Sequence, residues 1–155
     1  MPASTPATKA LDRLGIPYRL FEHARPPASL VQAAQERGQK PEQVVRSLLF
    51  RLGQGEYVLV LTAGPGQVSW PRLRAYLGVS RVTLASEEEV QECTGYPIGA
   101  VGPFGLAHPL RILASRGVFQ PEEISIGSGA RGLAILIRAS DLKKGLGEVE
   151  ILPGE

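Results

Sequence analysis

Two glycine-rich stretches carry the chemistry-bearing pattern of this 155-residue chain. The first, TGYPIGAVGPFG from Thr94 to Gly105, places four glycines and two prolines within twelve residues. That density excludes ordinary helix or strand and predicts a shaped loop. Glycine lets another molecule approach the main chain, proline fixes φ and removes a donor, and together they can hold N–H groups in one arrangement. Such a loop suits an ester or carboxyl oxygen. Within it Gly99-Ala100-Val101-Gly102-Pro103 forms a GxxxP spacing in which Gly102 can offer its N–H to a carbonyl. The second stretch, IGSGARG from Ile126 to Gly132, lacks the lysine and hydroxyl that complete a nucleotide-binding phosphate loop. Both stretches end apolar segments and could face one cleft; a long structural connection is the competing reading.

The remaining reactive side chains are sparse. Arg46 interrupts the apolar run VVRSLLF, with Val45 and Ser47 directed to the opposite face, so it either reaches into a pocket or lays its stem on a sheet. His23 and His108 flank proline-containing loops and have no carboxylate partner identifiable by spacing. Cys93 reads as a buried helix residue rather than a nucleophile. One cysteine and two separated histidines exclude an intrachain disulfide and leave no metal-ligand spacing, so no metal and no cofactor are expected.

The elements that must position these groups follow from caps and periodicity. A first helix is capped by Ser4 or Thr5 and closed at Gly15, and a strand is expected over Ile16 to Phe21. A second helix runs from Ser29 to Gly38. Val44 to Leu52 and Tyr57 to Thr62 read as a hairpin around a turn at Gln54-Gly55-Glu56, with a buried second strand. Ser69 starts a helix closed by Gly78, Val79 to Leu84 follows as a strand, and Ser86 with Glu89 forms a capping box for a helix that leads into the glycine-rich loop. Three more strands are expected at Leu110 to Ala114, Glu123 to Ile126 and Leu133 to Ile137, then a short helix at Ser140 to Lys144 and a strand at Glu148 to Leu152. Strands outnumber helices, with no repeat or linker. The fold class is therefore α+β, with a mixed, curled, barrel-like sheet and surrounding helices in a single domain spanning 1–155.

With 43% hydrophobic residues the chain can bury a sizeable core. No apolar run approaches the about 20 residues of a membrane helix, and the N-terminus lacks signal-peptide regions, so a soluble cytoplasmic protein without membrane contact is expected. A net charge of +2 allows transient contact with phosphates but is far from that of a nucleic-acid coat protein.

The succession Glu22-His23, VVRSLLF, LTAGPGQV from Leu61 to Val68, TGYPIGAVGPFG and GSGARGL resembles the YbaK and prolyl-tRNA synthetase-associated domain family over essentially the whole chain. Members of that family resemble the editing insertion of bacterial prolyl-tRNA synthetases and act as free-standing deacylases that clear cysteine or alanine from proline tRNA. The resemblance implies that Gly99, Gly102 and Pro103 lie against the aminoacyl ester, with the amides of Gly102 and its neighbours stabilising the oxyanion, and that Thr62 and Gly129 match the site. Arg46 stands where a lysine is usual and keeps the charge near the terminal ribose and phosphate of tRNA. Phe21 replaces a common tyrosine, Gly127 a serine and Ala134 an aspartate, so the pocket is less polar than the family pattern. The implied substrate contacts are Phe21, Leu30, Thr62, Gly99, Ala100, Val101, Pro103, Gly127, Ser128 and Gly129. No side-chain nucleophile is required, because water or a substrate group attacks the ester.

Two functions follow from this resemblance. One is an aminoacyl-tRNA deacylase that takes the aminoacylated 3′ end of tRNA, with prolyl-tRNA synthetase as a second partner, as a monomer or a homodimer. The alternative is a non-catalytic module binding aminoacyl-tRNA, a free amino acid or a synthetase. A purely structural role leaves the two glycine-rich turns beside an in-strand arginine unexplained.

Overall fold

The computed structural model describes residues 4–53 and 55–153. Thr5 caps helix α1 (Pro6–Leu14) in a reciprocal capping box with Thr8, and proline occupies its first turn, where no N–H is needed. The Ile16 amide closes back onto the Leu11 carbonyl after the glycine cap at Gly15. That closure, followed by Pro17, delays the first strand: β1 covers Arg19–Glu22 rather than starting at Ile16. Helix α2 (Leu30–Arg37) is capped by Ser29 and stopped by left-handed Gly38. Strands β2 (Val45–Gly53) and β3 (Glu56–Ala63) form the expected antiparallel pair, with a register irregularity between Arg51 and Gly53; Gln54 of the expected turn lies outside the described residues.

Helix α3 (Trp70–Leu77) ends in a glycine cap at Gly78, where the Val79 amide returns to the Arg74 carbonyl. The cap consumes the start of the expected Val79 to Leu84 strand, leaving β4 at Thr83–Leu84 only. Helix α4 (Glu87–Thr94) carries the Ser86/Glu89 capping box and three glutamates at its positive end. Then follow β5 (Arg111–Ser115), β6 (Glu123–Gly127), β7 (Leu133–Arg138), α5 (Ala139–Leu146) and β8 (Glu150–Leu152).

The architecture is α+β, as the sequence predicts, but the strands form two sheets and do not close into a barrel. One has the order β1-β7-β6, all antiparallel; the other runs β4-β2-β3-β5-β8 and is mixed, with β3/β5 and β5/β8 parallel. A single bridge between Val44 and Ser125 joins them. The division has a reason in β3, whose Val58, Leu59, Val60 and Leu61 are all fully buried. Leu59 and Leu61 enter a core shared with Ile124, Ile126, Ile135 and Ile137 of the smaller sheet, while Val58 and Val60 enter a second core under α3. Each such side chain is worth about 1.5–3 kcal/mol on burial, so a strand clad on both faces anchors the fold.

The rim of the larger sheet carries an ion-pair cluster in which the Arg111 guanidinium grips Glu150 through Nε at 2.7 Å and Nη2 at 2.8 Å, and Tyr76 donates to the same carboxylate at 2.8 Å. These donors, the guanidinium foremost, hold the Glu150 pKa down at about 2. A depressed carboxylate pKa contributes stability that is complete above the unfolded value of 4.5 and is lost as pH falls toward about 2. Because both partners are substantially exposed, the contribution is at most about 1 kcal/mol. Glu150→Gln is expected to flatten the acid limb of a urea-midpoint profile below about pH 5 and to leave its neutral plateau lower by less than ~1 kcal/mol. An acid limb unchanged by the substitution would contradict this assignment.

Candidate functional site

The two glycine-rich stretches meet. Gly102 and Gly127 approach so closely that a Cβ on Gly102 would fall inside the Gly127 carbonyl, and one on Gly127 inside the Val101 carbonyl. The Gly129 amide donates to the Ala100 carbonyl at 2.8 Å, and Arg131 Nη2 donates to the Ile98 carbonyl at 3.0 Å. Tyr96 braces the loop from beneath: its ring lies where a Gly129 side chain would go, and its hydroxyl donates to the carbonyls of Phe104 at 2.7 Å and Gly105 at 3.1 Å. Burial pushes the Tyr96 phenol up to about 12, so it remains a donor at neutral pH.

Beside this junction opens a cavity of about 560 Å³. Its apolar floor uses Val45, Leu49, Val90 and Ile126 of the main core, and its opening carries the exposed side chains of Leu84 and Ile98. Along the loop wall, the Ala100 amide is spent on the Pro97 carbonyl, whereas the amides of Gly99, Val101 and Gly102 have no acceptor among the described residues. Gly99 and Val101 line the cavity; Gly102 does not. Its lack of a side chain is used for backbone contact with Gly127.

Of the residues singled out by sequence, Leu30, Arg46, Gly99, Ala100, Val101 and Gly127 line the cavity. Phe21, Thr62, Pro103, Ser128 and Gly129 join Gly102 outside its lining. Phe21 sits on β1 opposite Ala134, edge-on to the His23 ring at 4.9 Å. Thr62 faces a separate hollow with Gln67, Ser69 and Ser115. Ser128 is fully buried and donates to the Leu133 carbonyl at 2.6 Å, which fixes the turn. Pro103 is buried within the loop.

Arg46 projects from the β2 face opposite Val45 and Leu49 and donates to the Gly66 carbonyl. Its Nε is buried without a partner, it has no carboxylate partner among the described residues, and burial lowers its pKa. His108 is exposed. Cys93 packs against the main core, and burial pushes its thiol up, away from nucleophilic use.

Two polar residues among the lining positions that the sequence reading did not single out are Ser47 and Arg37. Ser47 shares its face with Val45 and Leu49, and its hydroxyl is buried without a partner. The alternation of β2 was the available signal. Arg37 lies seven residues after Leu30 on α2, one helix face apart by two turns, and lines the same wall. Among the described residues, no carboxylate, histidine or cysteine lines the cavity. Among the described residues, no three His, Cys, Asp or Glu side chains gather as a metal site.

The aminoacyl-tRNA editing domain family matches residues 25–144, which includes both glycine-rich stretches, α2 and β2. The chain belongs to that family. Proline--tRNA ligases are similar to this editing domain over part of its length. That of Thermosipho melanesiensis is 33% identical over 96 residues, taking in 62% of this chain and 17% of the ligase. That of Kosmotoga olearia is 36% identical over 92 residues, or 59% and 16%. The chain thus spans less than a fifth of the curated relatives it matches. A crystal structure described provisionally as a trans-editing enzyme for prolyl-tRNA synthetase superposes with a TM-score of 0.84 at 26% identity, covering 99% of the editing domain and all of that chain. A hypothetical protein with a TM-score of 0.85 and 22% identity, covering 95% of this chain and 97% of its own, shares the fold.

Proposed function

We propose that this editing domain hydrolyses the ester of mischarged tRNA in trans, with alanine or cysteine on proline tRNA as its substrates. The observation that carries the reading is the pair of unspent amides, Gly99 and Val101, on the wall of a cavity large enough for an aminoacyl-ribose. Amides fixed beside an ester carbonyl stabilise the oxyanion formed on attack, and one such donor is worth about 2.7–4 kcal/mol in enzymes that use them. The sequence reading gave this role to Gly102 and its neighbouring amides, of which Gly99 and Val101 line the cavity.

With no general base in the cavity lining, the attacking group is water or a hydroxyl of the substrate's own ribose, held in line by the walls. Arg46, a cation without a carboxylate partner among the described residues, takes the phosphate of the tRNA terminus. Aminoacylated tRNA is the partner, and prolyl-tRNA synthetase, suggested by the proline--tRNA ligases among the relatives, is a second.

Purified protein is expected to discharge Ala-tRNA and Cys-tRNA for proline in a single-turnover assay at least ~100-fold faster than buffer, the magnitude one preorganised donor provides. The absence of a general base also suits a binding module. Stable retention of the ester over many minutes, with charged tRNA held more tightly than uncharged, would favour that second reading and end the first.

A further inference from the structure

Arg37 belongs to a polar network that the proposed chemistry does not use. Its Nε donates to His23 Nε2 at 3.0 Å and its Nη1 to Ser125 Oγ at 2.8 Å. The His23 side chain is fully buried, and its Nδ1 lies 2.5 Å from Glu36 Oε1. Since Nε2 accepts from a guanidinium that cannot give up its proton, the neutral ring carries its hydrogen on Nδ1 and donates it to Glu36. The other Glu36 oxygen accepts from Gln32 at 2.9 Å. Ser125 passes its own hydrogen to Gln39 Oε1 at 2.8 Å, which leaves Gln39 Nε2 buried with no acceptor.

Donors therefore outnumber acceptors around Arg37. Nη2 has no acceptor among the described residues, and the groups that hold the cation, an imidazole and a hydroxyl, are neutral. Among the described residues Glu36 makes no hydrogen bond to Arg37 itself and joins the network through His23. Burial acts against the guanidinium charge, and its neighbour Glu36 offsets that only in part. A cation clamped at two nitrogens by neutral groups, on the wall of a cavity with no carboxylate among its described lining residues, is built to receive an anion.

We propose that Arg37 is a carboxylate-binding residue of this cavity, taking the carboxylate of a small amino acid through its unspent Nη2 edge. The proposal rests on the cavity being the aminoacyl site, and the carboxylate has two possible sources. Hydrolysis of the ester creates an α-carboxylate on the released amino acid, and an acidic acyl group carries one on its side chain.

Three probes separate these sources in calorimetric or NMR titrations of the full chain: alanine, alaninamide, and the α-amide of aspartic acid, which has only its side-chain carboxylate. Alanine binding at least 10-fold more tightly than alaninamide assigns the α-carboxylate of the product. Binding of the aspartic α-amide without alanine assigns an acidic side chain. In either case Arg37→Gln should weaken binding by 10-fold or more, while Arg37→Lys, which keeps the charge, loses less. Failure of every probe to bind, or equal binding by folded Arg37→Gln and the parent, overturns the proposal. The titration needs no turnover. Lack of deacylation with carboxylate binding intact would sink the enzymatic reading alone, and deacylation without Arg37-dependent binding would sink this one alone.

Discussion

Gly102→Ala is expected to be among the most damaging single-atom changes available in this chain, in stability and in activity together. The added methyl would enter the carbonyl of Gly127, and the mirror change, Gly127→Ala, would enter the carbonyl of Val101. Backbone meets backbone at this point, so no side-chain rotation relieves the clash and the two loops must separate. Overpacking costs about 1–3 kcal/mol where side chains can adjust, and more where they cannot. We expect ~3 kcal/mol or more, a fall in Tm of about 6–12 °C for a chain of this size.

The separation also displaces the Gly99 and Val101 amides. A shift of about 1 Å in a catalytic donor is enough for a ~100-fold loss of rate. The pair shares one contact, so the double variant should fall well short of the sum of the singles. Gly117→Ala is the control: its Cβ would meet only the Ala63 side chain at 3.9 Å, and its unfolding midpoint should stay within about 0.5 kcal/mol of the parent. Urea denaturation and single-turnover deacylation of the four variants beside the parent check this. A stable, active Gly102→Ala would mean that the loop junction does not set the site.

Particular residues show how much of this was legible in sequence. Caps were the clearest signals: Thr5, Ser29, Ser69 and Ser86 each cap the helix expected from them, because capping is a local hydrogen bond. The continuous apolar run of β3 correctly announced a strand buried on both faces. Strand starts were lost where a left-handed glycine cap drew the next residues back onto the helix, at Ile16 and at Val79. The split into two sheets was not legible, since it depends on which long-range partners meet each face of β3.

At the site, glycine density identified the loops but not which glycine serves contact and which serves the cavity. Gly102 and Gly99 look alike in sequence, and only the approach of Gly127 distinguishes them. The His23–Glu36 contact was hidden for the same reason. The partners are thirteen residues apart, one just past β1 and the other on α2, and chain spacing carries no signal for that.

Arg46→Met is expected to separate activity from stability. In the unliganded protein the Arg46 Nε is buried without a partner and the guanidinium charge is partly desolvated, a cost that folding alone does not recover. Its one direct bond, to the Gly66 carbonyl, leaves that carbonyl near the surface, where water can replace the lost donor. Methionine covers the same stem area without the charge, so the urea midpoint should hold or rise slightly.

If the arginine holds a tRNA phosphate, the same change removes a charge-assisted contact worth about 1.5–3 kcal/mol, a loss of about 10- to 150-fold in kcat/KM. Arg46→Lys should recover part of this through charge, but not the forked geometry. The gap between parent and Arg46→Met should narrow as salt is raised and the phosphate is screened. Measuring kcat/KM at two ionic strengths beside the urea midpoint checks all three statements. Full activity in a folded Arg46→Met, or a gap indifferent to salt, would remove the arginine from the tRNA contact and leave its unpaired charge to another ligand.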